Sequence, residues 1–172
     1  MVSIDVVSTA ASDAWAVAAA TPDPELPLLT VADLGILRSV EEADSTVVVT
    51  ITPTFSGCPA MQEIAADLRS RLQRAGWSGV VVRMQLAPPW TTDWITETGR
   101  EKLRRAGIAP PGPAGRSAGP VELTLQSAPP AVPCPRCGGL DTERTAEFGA
   151  TACKSLYRCT TCLEPFEAVK PY

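Results

Sequence analysis

Histidine is absent from the 172 residues of this sequence, and the absence excludes several kinds of catalytic site. A Ser–His or Cys–His pair cannot form within the chain, which removes the hydrolase and protease mechanisms that need one. The chain also cannot supply the Glu-x-x-His pairs of a carboxylate-bridged di-iron bundle. Any metal site must use thiolate or carboxylate ligands. Because these catalytic arrangements cannot form, we expect that the chain is not itself an enzyme.

Strong charge and long apolar runs are also missing. The net charge is −4, which gives no reason to expect nucleic acid as the main partner. No apolar run is long enough to span a bilayer, and the N-terminal stretch lacks a basic leader and is interrupted by Asp5 and Asp13. We therefore expect a soluble, cytoplasmic protein with no membrane contact. In that compartment, Cys-x-x-Cys pairs are better interpreted as metal ligands than as disulfides.

Proline divides the sequence into two parts. Proline-rich sequence occupies 109–115 and again 128–133, and the intervening residues 121–125 alternate as a short strand would. We interpret most of this segment as a semi-rigid linker. The predicted organisation is a first domain over 1–109, a linker over 110–131 and a small module over 132–172.

The first half of the first domain predicts a helix and a hairpin. The helix covers 14–19, with Ser12 or Asp13 as its N-cap. Strands over 36–40 and 46–51 are separated by a short polar segment, which is the pattern of a β-hairpin.

The second half predicts two more helices and a strand. An amphipathic helix follows Pro59, and a third strand covers 80–86. A last helix over 94–106 has Asp93 as its cap and Gly107 at its end. The apolar face of the helix after Pro59 consists of Met61, Ile64, Ala65, Leu68 and Leu72. This order of elements predicts an α+β fold, a small mixed sheet with helices packed against it.

Four cysteines form two Cys-x-x-Cys pairs near the C-terminus: Cys134, Cys137, Cys159 and Cys162. Two such pairs approach a tetrahedral ion from two hairpin turns, and four thiolates complete its ligand shell. A module of about forty residues has too little core to fold unaided, so the metal would supply much of its stability. Because the closed shell leaves no position for a substrate, we predict a structural zinc ribbon. Iron bound as in rubredoxin is the alternative, since the same four-sulfur geometry accepts it.

The charges of this module argue against a nucleic-acid surface. A surface that follows phosphates needs a basic excess, and between 132 and 172 the two signs balance. A protein partner is therefore the better expectation. The balanced charges are Arg136, Arg144, Lys154, Arg158 and Lys170 against Asp141, Glu143, Glu147, Glu164 and Glu167.

Two further cysteines lie outside these pairs. Cys58 precedes the predicted helix start at Pro59, where the positive end of the helix would lower the pKa of the thiol. Cys153 lies between the two pairs and is a candidate auxiliary thiol for metal transfer. For each, the alternative is a buried cysteine that packs as a small apolar residue.

Several segments resemble known families. DPELP at 23–27, DLGI at 33–36 and TPT at 52–54 with the Cys58-Pro59 pair are similar to the domain of iron–sulfur assembly factors of the SufT type. Three further segments, together with both cysteine pairs, resemble the family of D subunits of bacterial phenylacetyl-CoA epoxidase, also called J subunits of phenylacetate-CoA oxygenase. These segments are PPWTTDWI at 88–95, GIAPP at 107–111 and EFGATACKSLYRC at 147–159, followed by EPF at 164–166.

The resemblance implies a role in aerobic phenylacetate breakdown, in a system whose di-iron oxygenase epoxidises the ring of phenylacetyl-CoA. It implies an accessory subunit that assists maturation or maintenance of the oxygenase metal centres, with epoxidase subunits as its partners. On this hypothesis Cys58, with Asp33 or Glu25, handles iron or an iron–sulfur cluster transiently. The alternatives are an electron carrier with iron at the four cysteines, or an inert scaffold in which Cys58 has no role.

The ribbon would then provide a docking surface for the client. Trp90, Trp94 and Phe166 are candidate anchors there, unless they belong to the local core. The sequence leaves open whether the protein is a homo-oligomer.

Overall fold

A computed structural model describes residues 13–43, 46–55, 57–114 and 131–171. Within those ranges the chain forms an α+β fold, as the sequence predicts, with three helices and two sheets. The elements are α1 (Asp13–Ala19), β1 (Leu37–Ala43), β2 (Thr46–Ile51), α2 (Ala60–Arg74), β3 (Gly79–Met84), α3 (Glu97–Arg105), β4 (Ile108–Ala109), β5 (Thr142–Ala146), β6 (Lys154–Cys159) and β7 (Pro165–Val169).

The first sheet has the order β1-β2-β3. β1 and β2 form the predicted antiparallel hairpin, whereas β2 and β3 are parallel and are joined through α2, because a parallel pair needs a crossover connection. Alternate residues of β2, namely Val47, Val49 and Ile51, are fully buried, as the period-2 pattern of a half-buried strand requires. They belong to one core with Ile64 and Leu68 of α2.

The second sheet joins the two parts of the chain: the predicted first domain, which we call the first unit, and the predicted C-terminal module, which we call the ribbon. Its order is β4-β7-β6-β5, and β4 comes directly after α3. Ile108 and Ala109 of β4 pair in parallel with Glu167 and Ala168 of β7. Val169, at the end of β7, is buried in the core of the first unit. The two units therefore share a sheet and a core, while the domain boundaries at 109 and 131 stay a prediction.

The start of the third helix differs from the sequence prediction. Residues 92–94 form one turn of 3-10 helix, and α3 begins only after Thr96, whose side-chain oxygen accepts a hydrogen bond from the backbone N–H of Gly99 at 3.0 Å. Asp93 is therefore not the cap of α3. The extended backbone of Ile95 separates it from the helix.

Two expectations concern the rest of the chain. The strand suggested for 121–125 lies outside the residues that the structure describes. None of the helices within the described ranges has the length and apolarity that crossing a bilayer requires.

Candidate metal centre and cysteine pocket

The structure brings the four ribbon cysteines together. The Sγ atoms of Cys134, Cys137, Cys159 and Cys162 all lie within 4.8 Å of one another. The Cys134–Cys162 and Cys137–Cys159 sulfur pairs are each 3.7 Å apart. A tetrahedral zinc ion with Zn–S bonds of about 2.3 Å places its sulfur ligands about 3.8 Å apart. The donor set and its spacing therefore fit a four-sulfur metal site, and iron fits the same geometry.

Backbone N–H groups are directed at these sulfur atoms. The Sγ atom of Cys137 accepts from the N–H of Gly139, and that of Cys159 accepts from the N–H of Cys162, both at 3.4 Å. Each pair continues into a left-handed residue, Gly138 with φ 74° and Leu163 with φ 63°. Such bonds favour thiolate over thiol, because they stabilise the charged form.

The thiols of the cluster compete for negative charge. The N–H of Cys162 is the largest influence on the Cys159 thiol, whose pKa is lowered to about 6. The N–H of Glu164 lowers the pKa of the Cys162 thiol, but burial and the nearby sulfur atoms of Cys137, Cys159 and Cys134 outweigh it and raise this pKa to about 12. Four thiolates at this spacing need a cation between them.

The other two cysteines meet in a second place. A cavity of about 30 Å³ between the two units is lined by Cys58 of the first unit and Cys153 of the ribbon. Asp23 and Glu25 also line it, and the Cys153 thiol lies 3.8 Å from Oε2 of Glu25. The remaining lining is mostly apolar: Leu26, Leu34, Ile36, Thr54, Trp90, Ile95 and Val169. We call this site the cysteine pocket.

Cys58 occupies the predicted position just before α2, but its electrostatics differ from the expectation. Burial raises the pKa of the Cys58 thiol, and the carboxylates of Glu25 and Asp23 add to the effect. The N–H of Ala60 lowers that pKa, as a helix start should, but does not outweigh the loss of solvation. The expected lowering of the pKa is therefore wrong.

Asp23 is a pocket residue that the sequence analysis did not single out, although it opens the DPELP segment. Its Oδ1 atom accepts hydrogen bonds from the N–H groups of Glu25 at 2.9 Å and Leu26 at 2.7 Å. These bonds fix the loop so that Glu25 lines the pocket. Burial raises the pKa of Asp23, against the effect of the two N–H donors.

Asp33 lies elsewhere. Its Oδ2 atom accepts from the N–H of Thr30 at 2.9 Å and forms an ion pair with Lys102 of α3 at 2.6 Å. It is not among the described residues that line the cysteine pocket. The pairing of Asp33 with Cys58 stays a prediction, while these contacts give Asp33 a role in joining its loop to α3.

The three aromatic anchor candidates are core residues or partly so. Trp90 is 7% exposed, and its Nε1–H donates to the carbonyl oxygen of Leu34 at 2.8 Å. Phe166 is 6% exposed and stacks on Tyr157. Trp94 is half-buried beneath the guanidinium of Arg38, 3.7 Å from its ring centre. The alternative that they belong to the local core therefore holds for Trp90 and Phe166, whereas Trp94 is only half-buried.

Two family models match successive parts of the chain. Residues 20–85 match the family model of the iron–sulfur cluster assembly protein, and residues 118–170 match that of the PaaD zinc beta ribbon domain. A domain of unknown function from Bacillus anthracis, known from its crystal structure, is 26% identical and covers 52% of this chain and 87% of its own, with a TM-score of 0.49.

Two curated relatives extend the match. An Fe–S protein maturation auxiliary factor from Porphyromonas gingivalis is 38% identical over 77 residues, 44% of this chain and 72% of its own length. An Escherichia coli protein assigned as the D subunit of 1,2-phenylacetyl-CoA epoxidase is 46% identical over 156 residues, 91% of this chain and 90% of its own. By this match over nearly its whole length, the chain belongs to the PaaD family of phenylacetyl-CoA epoxidase D subunits, with an iron–sulfur assembly domain before its zinc ribbon.

Proposed function

We propose that this protein is a non-catalytic accessory subunit of the phenylacetyl-CoA epoxidase system that assists maturation or maintenance of the oxygenase metal centres. The names of the two curated relatives, an epoxidase D subunit and an Fe–S maturation factor, both support this role. Its partners are other epoxidase subunits, in the cytoplasm. The absence of histidine agrees with a function that does not require acid–base chemistry by the chain itself.

The single observation behind this proposal is the position of Cys58 in the cysteine pocket. Metal delivery requires a ligand group that can release its ion, which a closed four-thiolate shell does not do readily. Cys58 is half-buried in a cavity with two carboxylates, Asp23 and Glu25, in its wall. Thiolate and carboxylate ligands together suit a borderline cation such as Fe²⁺.

The four ribbon cysteines have a different role in this proposal. They hold one zinc ion as a structural cofactor, because the shell is complete without water or substrate. Zinc supplies the closed centre around which the two Cys-x-x-Cys turns fold. The chemistry of metal transfer is assigned to Cys58, with Glu25 as its carboxylate neighbour.

The test is restoration of the oxygenase in a strain that lacks this protein. The oxygenase is purified after co-expression with the wild-type chain, with Cys58→Ser, or with Ala66→Ser, which adds the same hydroxyl to an exposed position of α2. We expect wild type and Ala66→Ser to restore iron content and ring epoxidation, and Cys58→Ser to restore neither. Full restoration by Cys58→Ser would overturn the transfer role and support the inert scaffold.

An electron carrier is the second candidate, because the 3.7 Å sulfur spacing accepts iron as well as zinc. Metal analysis of the purified protein and its visible absorption spectrum distinguish the two. Stoichiometric iron with reversible bleaching on reduction would favour the carrier. Colourless protein with one zinc ion per chain supports the structural ribbon.

A further inference from the structure

We infer that Leu163, exposed in the second cysteine turn of the ribbon, is the anchor by which this protein docks into an apolar pocket on another subunit of the epoxidase system. The identity of the partner rests on the proposed function. The inference adds to that function a contact surface, formed by Leu163 and the neighbouring ion pair of Arg136 and Glu164.

The first observation is the backbone conformation of Leu163. Its φ is 63°, and it is the only residue other than glycine with a positive φ in the part of the chain that the structure describes. In this left-handed region the Cβ of an L-residue lies close to the following carbonyl oxygen, which glycine avoids. A leucine is therefore less stable at this position than a glycine, and such an outlier is a reason to look for a function.

The first cysteine turn shows that the turn itself does not require a leucine. In each turn the N–H of the first cysteine donates to the carbonyl oxygen of the residue five positions later, at 2.9 Å. The residue that follows the second cysteine is therefore equivalent in the two turns. In the first turn it is Gly138, with φ 74°. Formation of the turn alone would favour glycine at position 163 as well.

The leucine side chain also gains little from packing within the described chain. Leu163 is 59% exposed, and it is not among the described residues that form the buried cluster of the ribbon or pack against it. The hydrophobic effect stabilises a leucine only when its surface is removed from water. The unfavourable backbone is therefore not offset here, whereas burial against another protein would offset it.

The surroundings of Leu163 are those of a protein interface. Glu164, the next residue, forms an ion pair with Arg136 of the first turn, so an apolar side chain lies beside polar groups with no net charge. A nucleic-acid surface would need a basic excess, and one leucine buries too little area to hold a protein on a membrane. The Escherichia coli relative is named as a subunit, which favours another epoxidase subunit as the partner.

The test measures binding of the full chain to the purified oxygenase of the epoxidase system by isothermal titration calorimetry. Leu163→Gly removes the side chain and should raise the dissociation constant by about ten- to a hundredfold, because a buried leucine is lost from the interface. Leu163→Met retains a side chain of similar volume and should stay within about threefold of wild type. Leu140→Gly, which removes an equally exposed leucine of the ribbon, should also stay within about threefold.

Urea denaturation of the same variants tests the backbone argument. Leu163→Gly should lower the unfolding equilibrium constant by about two- to fivefold, because glycine adopts the left-handed conformation more easily. Leu140→Gly should not lower it, because Leu140 is not among the described residues with a positive φ. A variant that folds more tightly and binds more weakly is the combination expected of a contact residue.

Three results would overturn the docking role. They are wild-type affinity in Leu163→Gly, absence of binding between the wild-type chain and the oxygenase, and a Leu163→Gly protein that is less stable than wild type. Self-association of the wild-type chain that Leu163→Gly abolishes, without oxygenase binding, would instead assign this surface to a second copy.

The docking role and the proposed function fail separately. If Leu163→Gly binds normally while Cys58→Ser restores no iron to the oxygenase, the docking role falls and the transfer role stands. If Leu163→Gly loses binding while Cys58→Ser restores iron fully, the docking role stands and the transfer role of Cys58 falls.

Discussion

Replacing one ribbon ligand tests how much the metal contributes to this fold. We choose Cys137→Ser, because the Cys137 side chain is exposed and its replacement removes a ligand without opening a cavity. Structural zinc contributes about 10–16 kcal/mol in small modules, and an equal share among four ligands is about 2.5–4 kcal/mol. At 1.4 kcal/mol per factor of ten, the zinc affinity should fall by about 100- to 1,000-fold.

The ribbon cannot absorb such a loss through its own core. Its buried apolar cluster contains Phe166 as the one large side chain among the residues described, and burying a phenylalanine contributes about 1.5–3 kcal/mol. The rest of that cluster is Ala109, Cys134, Cys159 and Ala168, two of which are metal ligands. We therefore expect the ribbon of Cys137→Ser to unfold at lower chelator concentration while the first unit stays folded.

The assay is competition for zinc with a coloured chelator, followed by absorbance, with circular dichroism on the same samples. Ala66→Ser is the control, because it places a serine at an exposed position of α2, outside the four-cysteine cluster. Its zinc affinity should stay within about threefold of wild type, because the substitution removes no ligand of the ribbon metal. A Cys137→Ser protein that retains zinc as tightly as the control would refute the four-thiolate assignment.

Two further changes test the first unit by urea denaturation. Gly35 has φ 67°, and an added Cβ would lie 2.5 Å from the carbonyl oxygen of Trp94, so Gly35→Ala should lower the free energy of unfolding by at least about 1–3 kcal/mol. Gly112→Ala should have little effect, because an added Cβ at Gly112 would have no atom other than those of its chain neighbours within 4 Å. Equal unfolding free energies for the Gly35 and Gly112 variants would contradict the argument. Burial raises the pKa of Asp33, but the ion pair with Lys102 outweighs it and holds this pKa below its ordinary value. Lys102→Met removes the ion pair and should lower the free energy of unfolding by about 0.5–1 kcal/mol at neutral pH. A carboxyl group whose pKa is lowered by folding stabilises the folded state at pH values above its unfolded pKa. The difference in unfolding free energy between wild type and Lys102→Met should therefore vanish as the pH falls through the lowered pKa of Asp33. A difference that persists in acid would exclude the ion pair as its source.

Local patterns predicted the elements that depend on neighbouring residues. The helix after Pro59 buries Met61, Ile64, Leu68 and Leu72, as its periodicity indicated. The third helix was less well predicted, because a 3-10 turn and an extended residue precede it. A pattern of apolar residues does not distinguish one continuous helix from two short turns.

The expectation of a lowered pKa for the Cys58 thiol was wrong, because local sequence does not show how a side chain is packed in the fold. Its place before α2 correctly indicated an N–H donor, from Ala60, that lowers the pKa. Burial outweighs this donor, and the carboxylates of Asp23 and Glu25, which only the fold brings close, add to its effect. Desolvation depends on every group packed around a thiol, and the sequence around Cys58 does not contain that information.

The sequence alone identified the four ribbon cysteines that the fold brings together, because two residues between paired cysteines favour a local turn that places both sulfur atoms on one side. It also excluded histidine chemistry outright. Only the tertiary structure placed Cys153 beside Glu25, 128 positions apart, and joined β4 to β7. Such contacts arise when separate apolar faces are buried in one core, and no short-range pattern encodes which distant side chains then share a cavity.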